Sequence, residues 1–382
     1  MIRLCFLTST LDIGGAERQL LELVRGLEKT RFDITVISFH GGVLLQELER
    51  IDGIEVRSLN KFASNGRWQF WKNLWNTVRD LKPDLLHGYL DYPNIYSLHL
   101  GKWFGAKVVW GLRTSELDHA NYDWKSKLVY YLNARLSRYV DRIIVNSWTG
   151  QEYHSTHGFK RERMVVIQNG IDTRRFLPDR SAGKQVRLEL GIRPSEMLIG
   201  LVGRLDPVKG HPTFLEAAKR LGDQWPRARF ICFGDGPEPY RDNLMAMSES
   251  LGLTGRVMWA GSRQDMPSVY NALDIFTSAS HGEGFSNAIG EAMACAIPCV
   301  VTDVGDSKQI VGDAGIVIPP RDPDAMEKAW ACLLALGQDA RQNLGRQARE
   351  KVQREYGVQN MIAKSETVLA GLVRDTGTAN VS

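Results

Sequence analysis

The 382-residue chain is poor in cysteine, with five in all. Cys5, Cys232, Cys295, Cys299 and Cys332 form no Cys-x-x-Cys pair and no Cys/His cluster at zinc spacing. An odd, dispersed set argues against a disulfide framework and fits a reduced, intracellular setting. Long apolar runs are also missing. None approaches the roughly 18 residues of a spanning helix, and Asp12, Glu17 and Arg18 interrupt the apolar start before a signal-peptide core completes. The expectation is a cytoplasmic chain, at most peripheral to the cytoplasmic face of a membrane. Excess charge is small, at +4, and no recognition motif accompanies it, so nucleic acid is not an expected partner. There is no full Gly-x-Gly-x-x-Gly. The one Asp-x-Asp, Asp322-Pro323-Asp324, has proline at a first helical position after an N-cap aspartate, which reads as a helix start rather than a metal site. No metal and no cofactor is expected.

What is present is ordinary globular material, 43% hydrophobic and 24% charged, enough for two cores at roughly 100–200 residues per domain. Short Val/Ile/Leu runs at 2–7, 33–39, 54–59, 84–87, 107–112, 142–146 and 164–168 alternate with amphipathic stretches. Continuous apolar runs of this kind mark parallel strands buried on both faces, with crossover helices between them. A polar, Arg-rich segment at 173–191 reads as a linker. A second alternation follows, with strands at 197–203, 229–233, 257–259, 274–277, 298–302 and 315–318. The fold class is α/β: two Rossmann-like, doubly wound domains facing across a cleft, where ligands bind beyond the carboxyl ends of the strands. The expected domains are 1–180, 181–355, and a C-terminal helix at 356–382.

Three stretches carry chemistry. In Gly14-Gly15-Ala16-Glu17, paired glycines at a strand-to-helix turn let an anion approach a helix N-terminus, though a turn that merely needs small residues explains them equally well. In Gly203-Arg204-Leu205-Asp206-Pro207-Val208-Lys209-Gly210, Arg204 and Lys209 share the loop after the second domain's first strand. That pair suits a diphosphate: Arg can fork onto two oxygens while Lys acts as a point charge. A solvated charged loop is the alternative. The richest stretch is His281-Gly282-Glu283-Gly284-Phe285-Ser286-Asn287-Ala288-Ile289-Gly290-Glu291. There two carboxylates bracket a helix N-terminus, with Glu283 and Glu291 able to accept from hydroxyls and the amides of Phe285, Ser286 and Asn287 lying between.

In combination these motifs, with Asn169-Gly170-Ile171-Asp172 and Gly234-Asp235-Gly236-Pro237, resemble the retaining GT-B glycosyltransferases of family 4, in order from about residue 1 to residue 320. The resemblance implies that Arg204 and Lys209 bind the diphosphate of a nucleotide-sugar donor. Glu291 would take the ribose and Glu283 a hydroxyl of the donor sugar, with Gly284, Phe285, Ser286 and Asn287 around it. Gly15 would lie near the phosphate or the transferred sugar, and segments 232–237 and 260–263, including Arg263, would border the base. Helices beyond about 356 would return to the first domain. Transfer with retention would proceed by attack from the leaving-group face, so Arg204 and Lys209 would matter most, stabilising charge that grows on the leaving diphosphate. Several family members carry a His after the fifth strand; here Arg113 stands there, with His119 downstream, and both are acceptor-side candidates.

Basic and aromatic residues gather in the first half. Up to Arg180 it holds 26 Lys and Arg against 20 Asp and Glu, and seven of the ten Trp. Trp68, Trp71, Trp75 and Val78 recur at helical spacing, which suits either a helix packed on its sheet or one at a lipid interface. The leading expectation is a retaining transfer of a hexosyl or N-acetylhexosaminyl group, UDP-linked by resemblance, to a saccharide or lipid-linked acceptor in bacterial-type polysaccharide assembly. The alternatives are a nucleotide-sugar epimerase or hydrolase of the same architecture and a non-catalytic nucleotide-sugar binding subunit.

Overall fold

A computed structural model of the chain describes residues 1–12, 14–59, 66–113 and 124–374. It divides into two compact units, Met1–Gly170 with Val358–Ser382, and Ile171–Gly357.

The first unit is built on strands β1 (Ile2–Thr8), β2 (Phe32–Ser38), β3 (Ile54–Ser58), β4 (Leu85–Tyr89), β5 (Lys107–Leu112), β6 (Arg142–Val145) and β7 (Met164–Val166). They form one parallel sheet in the order β3-β2-β1-β4-β5-β6-β7. Its interior strands are buried over most of their length, as in Leu4, Phe6, Leu85, Val109 and Ile144. This is why they read as unbroken apolar runs rather than alternating ones.

The second unit carries β8 (Met197–Val202), β9 (Ala228–Phe233), β10 (Val257–Trp259), β11 (Ile275–Ser278), β12 (Cys299–Thr302) and β13 (Gly315–Ile318). These are parallel in the order β10-β9-β8-β11-β12-β13. In each sheet the chain winds outward one way and then the other. That places a topological switch point between β1 and β4 in the first unit and between β8 and β11 in the second, the position at which open α/β sheets receive ligands. The expected doubly wound architecture is therefore observed twice.

The last helix, Val358–Arg374, belongs to the first unit. It packs on the helix Gly15–Gly26, where Gly26 makes room for Ile362, and Glu366 accepts from the amide of Glu28 at 2.8 Å. Its buried row of Met361, Ile362, Leu369 and Ala370 joins the β1–β4 core, at roughly 1.5–3 kcal/mol for each large side chain fully withdrawn from water.

Two expectations need correction. Residues 173–191 are not a featureless linker, because they contain the helix Arg180–Glu189. Asp179 caps it, accepting from the amides of Ser181 and Ala182 at 3.0 Å each. Gly183 then lets it press on the backbone at Asn271, where a Cβ would stand 2.1 Å from the carbonyl oxygen. In the helix Arg67–Leu81 the core-facing row is Phe70, Leu74 and Val78 rather than the tryptophan row. Trp71 and Trp75 are half-buried, stacked toward Tyr96, Trp103 and Phe104, while Trp68 is 77% exposed. The Asp-x-Asp is a helix start: Asp322 accepts from the amide of Ala325 at 2.9 Å, with Pro323 behind it.

Candidate functional site

After β8 the chain turns through Gly203 to Asp206, whose carboxylate accepts from the amide of Val208 at 3.0 Å and starts a single helical turn, Pro207–Lys209. Gly210 closes that turn with φ of +68°, and a Cβ there would meet the carbonyl oxygen of Ala279 at 1.9 Å. Glycine is therefore required both for the left-handed backbone and for the close approach of the loop after β11. The turn and that loop are also tied by the amide of His281, which donates to the carbonyl of Val208 at 2.7 Å.

Lys209 is thereby aimed across the switch point. Its side chain passes over Gly203 and its Nζ meets Glu283 Oε1 at 2.5 Å, with Ser280 Oγ donating to the same oxygen at 2.7 Å. The Glu283 side chain is only 12% exposed, so its carboxylate is held in one place rather than sampling solvent. Lys209, Ser280, Glu283 and Ser286 line one small pocket floored by Leu201 and Thr277. Arg204 behaves differently: its side chain is 79% exposed and reaches only Asp206, at 3.5 Å. One cation is fixed and the other is largely exposed, a division that suits gripping an oxyanion from two sides.

The carboxylate loop is braced from behind. Gly305 has φ of +55°, and a Cβ there would stand 2.2 Å from the carbonyl oxygen of Glu283. The amide of Asp306 donates to the carbonyl of Gly284 at 3.0 Å, and Thr302 Oγ1 donates to that of Ser280 at 2.6 Å. Phe285 is buried against Tyr356 with ring centroids 5.4 Å apart. The helix Asn287–Ala294 then begins, and the hydroxyl of its N-cap Ser286 makes no capping bond. One turn in, Glu291 accepts from the hydroxyl of Tyr270 at 2.7 Å. Burial first, and then this carboxylate, push the Tyr270 phenol well above its ordinary range, so it stays a donor and orients Glu291. Behind the cationic turn, His211 is fully buried with both ring nitrogens unpartnered among the described residues. Burial, and then the charge of Lys209, lower its pKa to about 4.

Arg263 is placed otherwise. It lies beyond β10, on the far side of β9 from β8, and its guanidinium is held by Asp265 at 2.6 Å and Glu189 at 3.1 Å. The bond to Asp265 is the main influence holding it above its ordinary range. It does not join the Lys209 and Glu283 cluster.

In the first unit, Gly14 precedes the helix Gly15–Gly26, and the Glu17 carboxylate folds back to where a Gly14 Cβ would stand. Burial raises the pKa of that carboxyl. Across the switch point, Arg113 follows β5. It donates to Tyr89 Oη at 2.8 Å and to Asn169 Oδ1 at 3.2 Å, and lies 5.0 Å from the centre of the Tyr89 ring. Gln19 grips both backbone groups of Gly170, donating to its carbonyl at 3.0 Å and accepting from its amide at 2.8 Å. The Gly15 helix, Arg113 and the Asn169-Gly170 pair are thus gathered at the carboxyl end of this sheet. His119 lies outside the described residues.

Sequence reasoning passed over Ser280, Gly305, Tyr270 and Gln19. Ser280 stands three residues before Glu283, a spacing that offered a local signal. The other three arrive from distant parts of the chain.

Comparison with known proteins places the chain among glycosyltransferases. Residues 13–175 match the family described as Glycosyltransferase Family 4, and residues 196–335 the family described as Glycosyl transferases group 1. The chain is 22% identical over 373 residues to EpsF of Bacillus subtilis (strain 168), covering 90% of this chain and 94% of that one. It is 35% identical over 181 residues to the D-inositol 3-phosphate glycosyltransferase of Mycobacterium sp. (strain KMS), a match spanning 45% of this chain and 39% of that relative. Among solved structures, HepE of Anabaena in complex with UDP and glucose superposes with a TM-score of 0.84 at 21% identity, over 97% of this chain and 100% of that one.

Fold and family matches together define a glycosyltransferase of GT-B architecture. The chain belongs to glycosyltransferase family 4, the glycosyl transferases group 1.

Proposed function

We propose that the protein transfers a hexosyl or N-acetylhexosaminyl group, with retention, from a UDP-sugar to a saccharide or lipid-linked saccharide acceptor in polysaccharide assembly. The observation that carries this reading is the Lys209, Glu283 and Ser280 cluster at the switch point of the second sheet. A donor entering there would place its diphosphate between Arg204 and Lys209. Lys209 would then be shared between phosphate oxygen and Glu283, fixing the carboxylate as an acceptor for a sugar hydroxyl. Glu291, oriented by Tyr270, would take the ribose. As the glycosidic bond breaks, negative charge grows on the leaving diphosphate, and preorganised cations at that position lower the barrier. The complex of HepE with UDP and glucose supports a uridine donor.

The acceptor reading rests on the first unit. Trp68, Trp103, Leu128, Tyr131 and Tyr139 are all more than half exposed, and Lys102, Arg135 and Arg138 accompany them. Trp103 and Tyr139 also wall a largely apolar hollow with Leu98 and Leu136. Amphipathic rings beside cations suit the headgroup level of a membrane, with Arg113 on the acceptor side of the reaction. No helix among the described residues is long and apolar enough to cross a membrane.

The test is a panel of nucleotide sugars screened by thermal shift and then by product analysis. The right donor stabilises the fold by mass action, and transfer to an acceptor separates this reading from an epimerase, which would need none. A Glu283→Ala variant turning over at the normal rate would overturn the placement of the donor sugar.

A further inference from the structure

The second unit has another hollow, away from the end of the sheet that carries Lys209 and Glu283. It lies at the opposite, amino edge, where Met197 begins β8 and Asp274 and Pro298 precede β11 and β12, and it encloses about 600 Å³. That volume falls within the range of small-molecule sites, roughly 300–1,000 Å³.

Its walls are rigid for an identifiable reason. One wall is the helix Arg180–Glu189, pressed onto the Asn271 backbone through Gly183. The other is the helix Gly337–Glu355, brought onto Ala296 through Gly345, where a Cβ would stand 2.0 Å from the Ala296 carbonyl oxygen. Neither wall can close on the other without breaking such a contact, so the cavity is preformed and a ligand bears little ordering cost.

Its charge is lopsided. The two lining carboxylates are already engaged: Asp274 by Arg187 at 2.9 Å and by the amide of Leu198 at 2.7 Å, and Glu196 by Arg229 at 2.7 Å and by the amide of Arg193 at 2.9 Å. Arg180, Lys184 and Arg346 also line the cavity, and among the described residues none has a carboxylate within ion-pair distance. Gln338 and Gln342 add amide groups beside them. Arg341, a fourth lining cation, is spent on the carbonyls of Leu333 and Leu334 at 3.1 Å each, and Arg346 also donates to Asn343 Oδ1 at 3.2 Å. Arg180, Lys184 and Arg346, with neutral hydrogen-bonding groups at hand, match a compact dianion attached to a polar body.

We propose that this cavity is a second ligand site, taking a small phosphorylated metabolite whose phosphate meets Arg180, Lys184 and Arg346. It is independent of the donor site and of the reading given to it. Bound there, the phosphate bridges the two helices.

The experiment is calorimetric titration of the full chain, at about 0.15 M salt, with pyrophosphate, AMP and glucose 6-phosphate. Three proteins are compared: wild type, Lys209→Ala, and the triple variant Arg180→Ala, Lys184→Ala, Arg346→Ala. At least one probe is expected to bind the wild type and Lys209→Ala equally. The triple variant should bind it weaker by about tenfold or more, since one lost charge-assisted contact already costs that much. Preference for pyrophosphate, AMP or the sugar phosphate identifies the body of the ligand. Should the triple variant unfold at a lower temperature than wild type, Lys184→Glu alone, on an exposed side chain, is expected to weaken binding by the same order. The proposal fails if no probe binds at this salt concentration, or if Lys209→Ala abolishes a binding that the cavity variants keep.

Discussion

The two units share one topology and use it for opposite ends. At the switch point of the second unit, charge is held ready: Lys209 and Glu283 face each other at 2.5 Å in a small pocket, and Arg204 is largely exposed, touching only Asp206 at 3.5 Å. At the switch point of the first unit, charge is absorbed into structure. Arg113 is stacked on Tyr89 and bonded to Asn169, and Gln19 saturates Gly170. The same parallel sheet therefore supports a charged end in one unit and a stapled end in the other, because function resides in side chains grafted on a fold rather than in the fold.

The sharpest way to break the comparison is Lys209→Ala. If its charge acts on the leaving group, kcat/KM should fall by about 10²–10³, the magnitude for losing one preorganised donor. The unfolding temperature should fall as well, because the largely buried Glu283 carboxylate loses its cation, so the loss of rate is read on protein shown to be folded at the assay temperature. A loss below tenfold would remove Lys209 from the chemistry.

Gly305→Ala comes next. At φ of +55°, with a Cβ 2.2 Å from the Glu283 carbonyl, alanine must displace the carboxylate loop. Strain of about 1–3 kcal/mol is expected, together with a raised KM for the donor. If donor binding is unaffected while stability falls, the loop does not position Glu283.

In the first unit the order of effects reverses. Gln19→Leu leaves the buried amide and carbonyl of Gly170 unpaired, at a cost of about 1–3 kcal/mol in stability. Donor affinity should stay unchanged in thermal-shift titrations. Variants at Arg113 should also lower the unfolding temperature before they alter donor binding. A normal melting temperature for either variant would show that the stapled end is no staple.

How much of this was legible beforehand follows the same division. Strands buried on both faces write themselves as apolar runs, so the two sheets and their switch points could be read almost residue by residue. The Arg204 to Lys209 loop and the Glu283 to Glu291 stretch are local, and their spacing survives in the sequence. What could not be read depends on distant partners. The helix at Arg180–Glu189 looks like polar linker because its stability comes from Asn271, nearly ninety positions on, meeting Gly183. The tryptophan spacing misled because large side chains can lie half-buried against neighbours, Trp75 against Trp103 and Phe104, while Phe70 and Leu74 take the core. Gly305 and Tyr270 act on Glu283 and Glu291 only once the sheet has formed.

A subtler test uses acid. Each unit buries a histidine with both ring nitrogens unpartnered among the described residues, His87 on β4 and His211 behind the cationic turn. Burial lowers the pKa of both, that of His211 from an ordinary 6.5 to about 4. Above pH 6.5 the rings are neutral in both folded and unfolded chains and add no pH-dependent cost. Below it the unfolded chain takes protons that the folded one refuses, so stability falls as the pH drops from 6.5 toward 4. His211→Gln should flatten part of this slope in melting curves at pH 7 and 5. An unchanged slope would mean that His211 is not held neutral by the fold.

The smallest expected effect is that of a chelator, and it bears on how the second unit holds its ligand. If Arg204 and Lys209 neutralise the diphosphate, a divalent ion has no charge left to balance. The one Asp-x-Asp is spent elsewhere, Asp322 on the amide of Ala325 and Asp324 on Arg220. Transfer measured in EDTA should match transfer without it. A complete loss, restored by adding back a divalent ion, would show that the side-chain grip is not sufficient and that the contrast between a charged end and a stapled end omits a third charge.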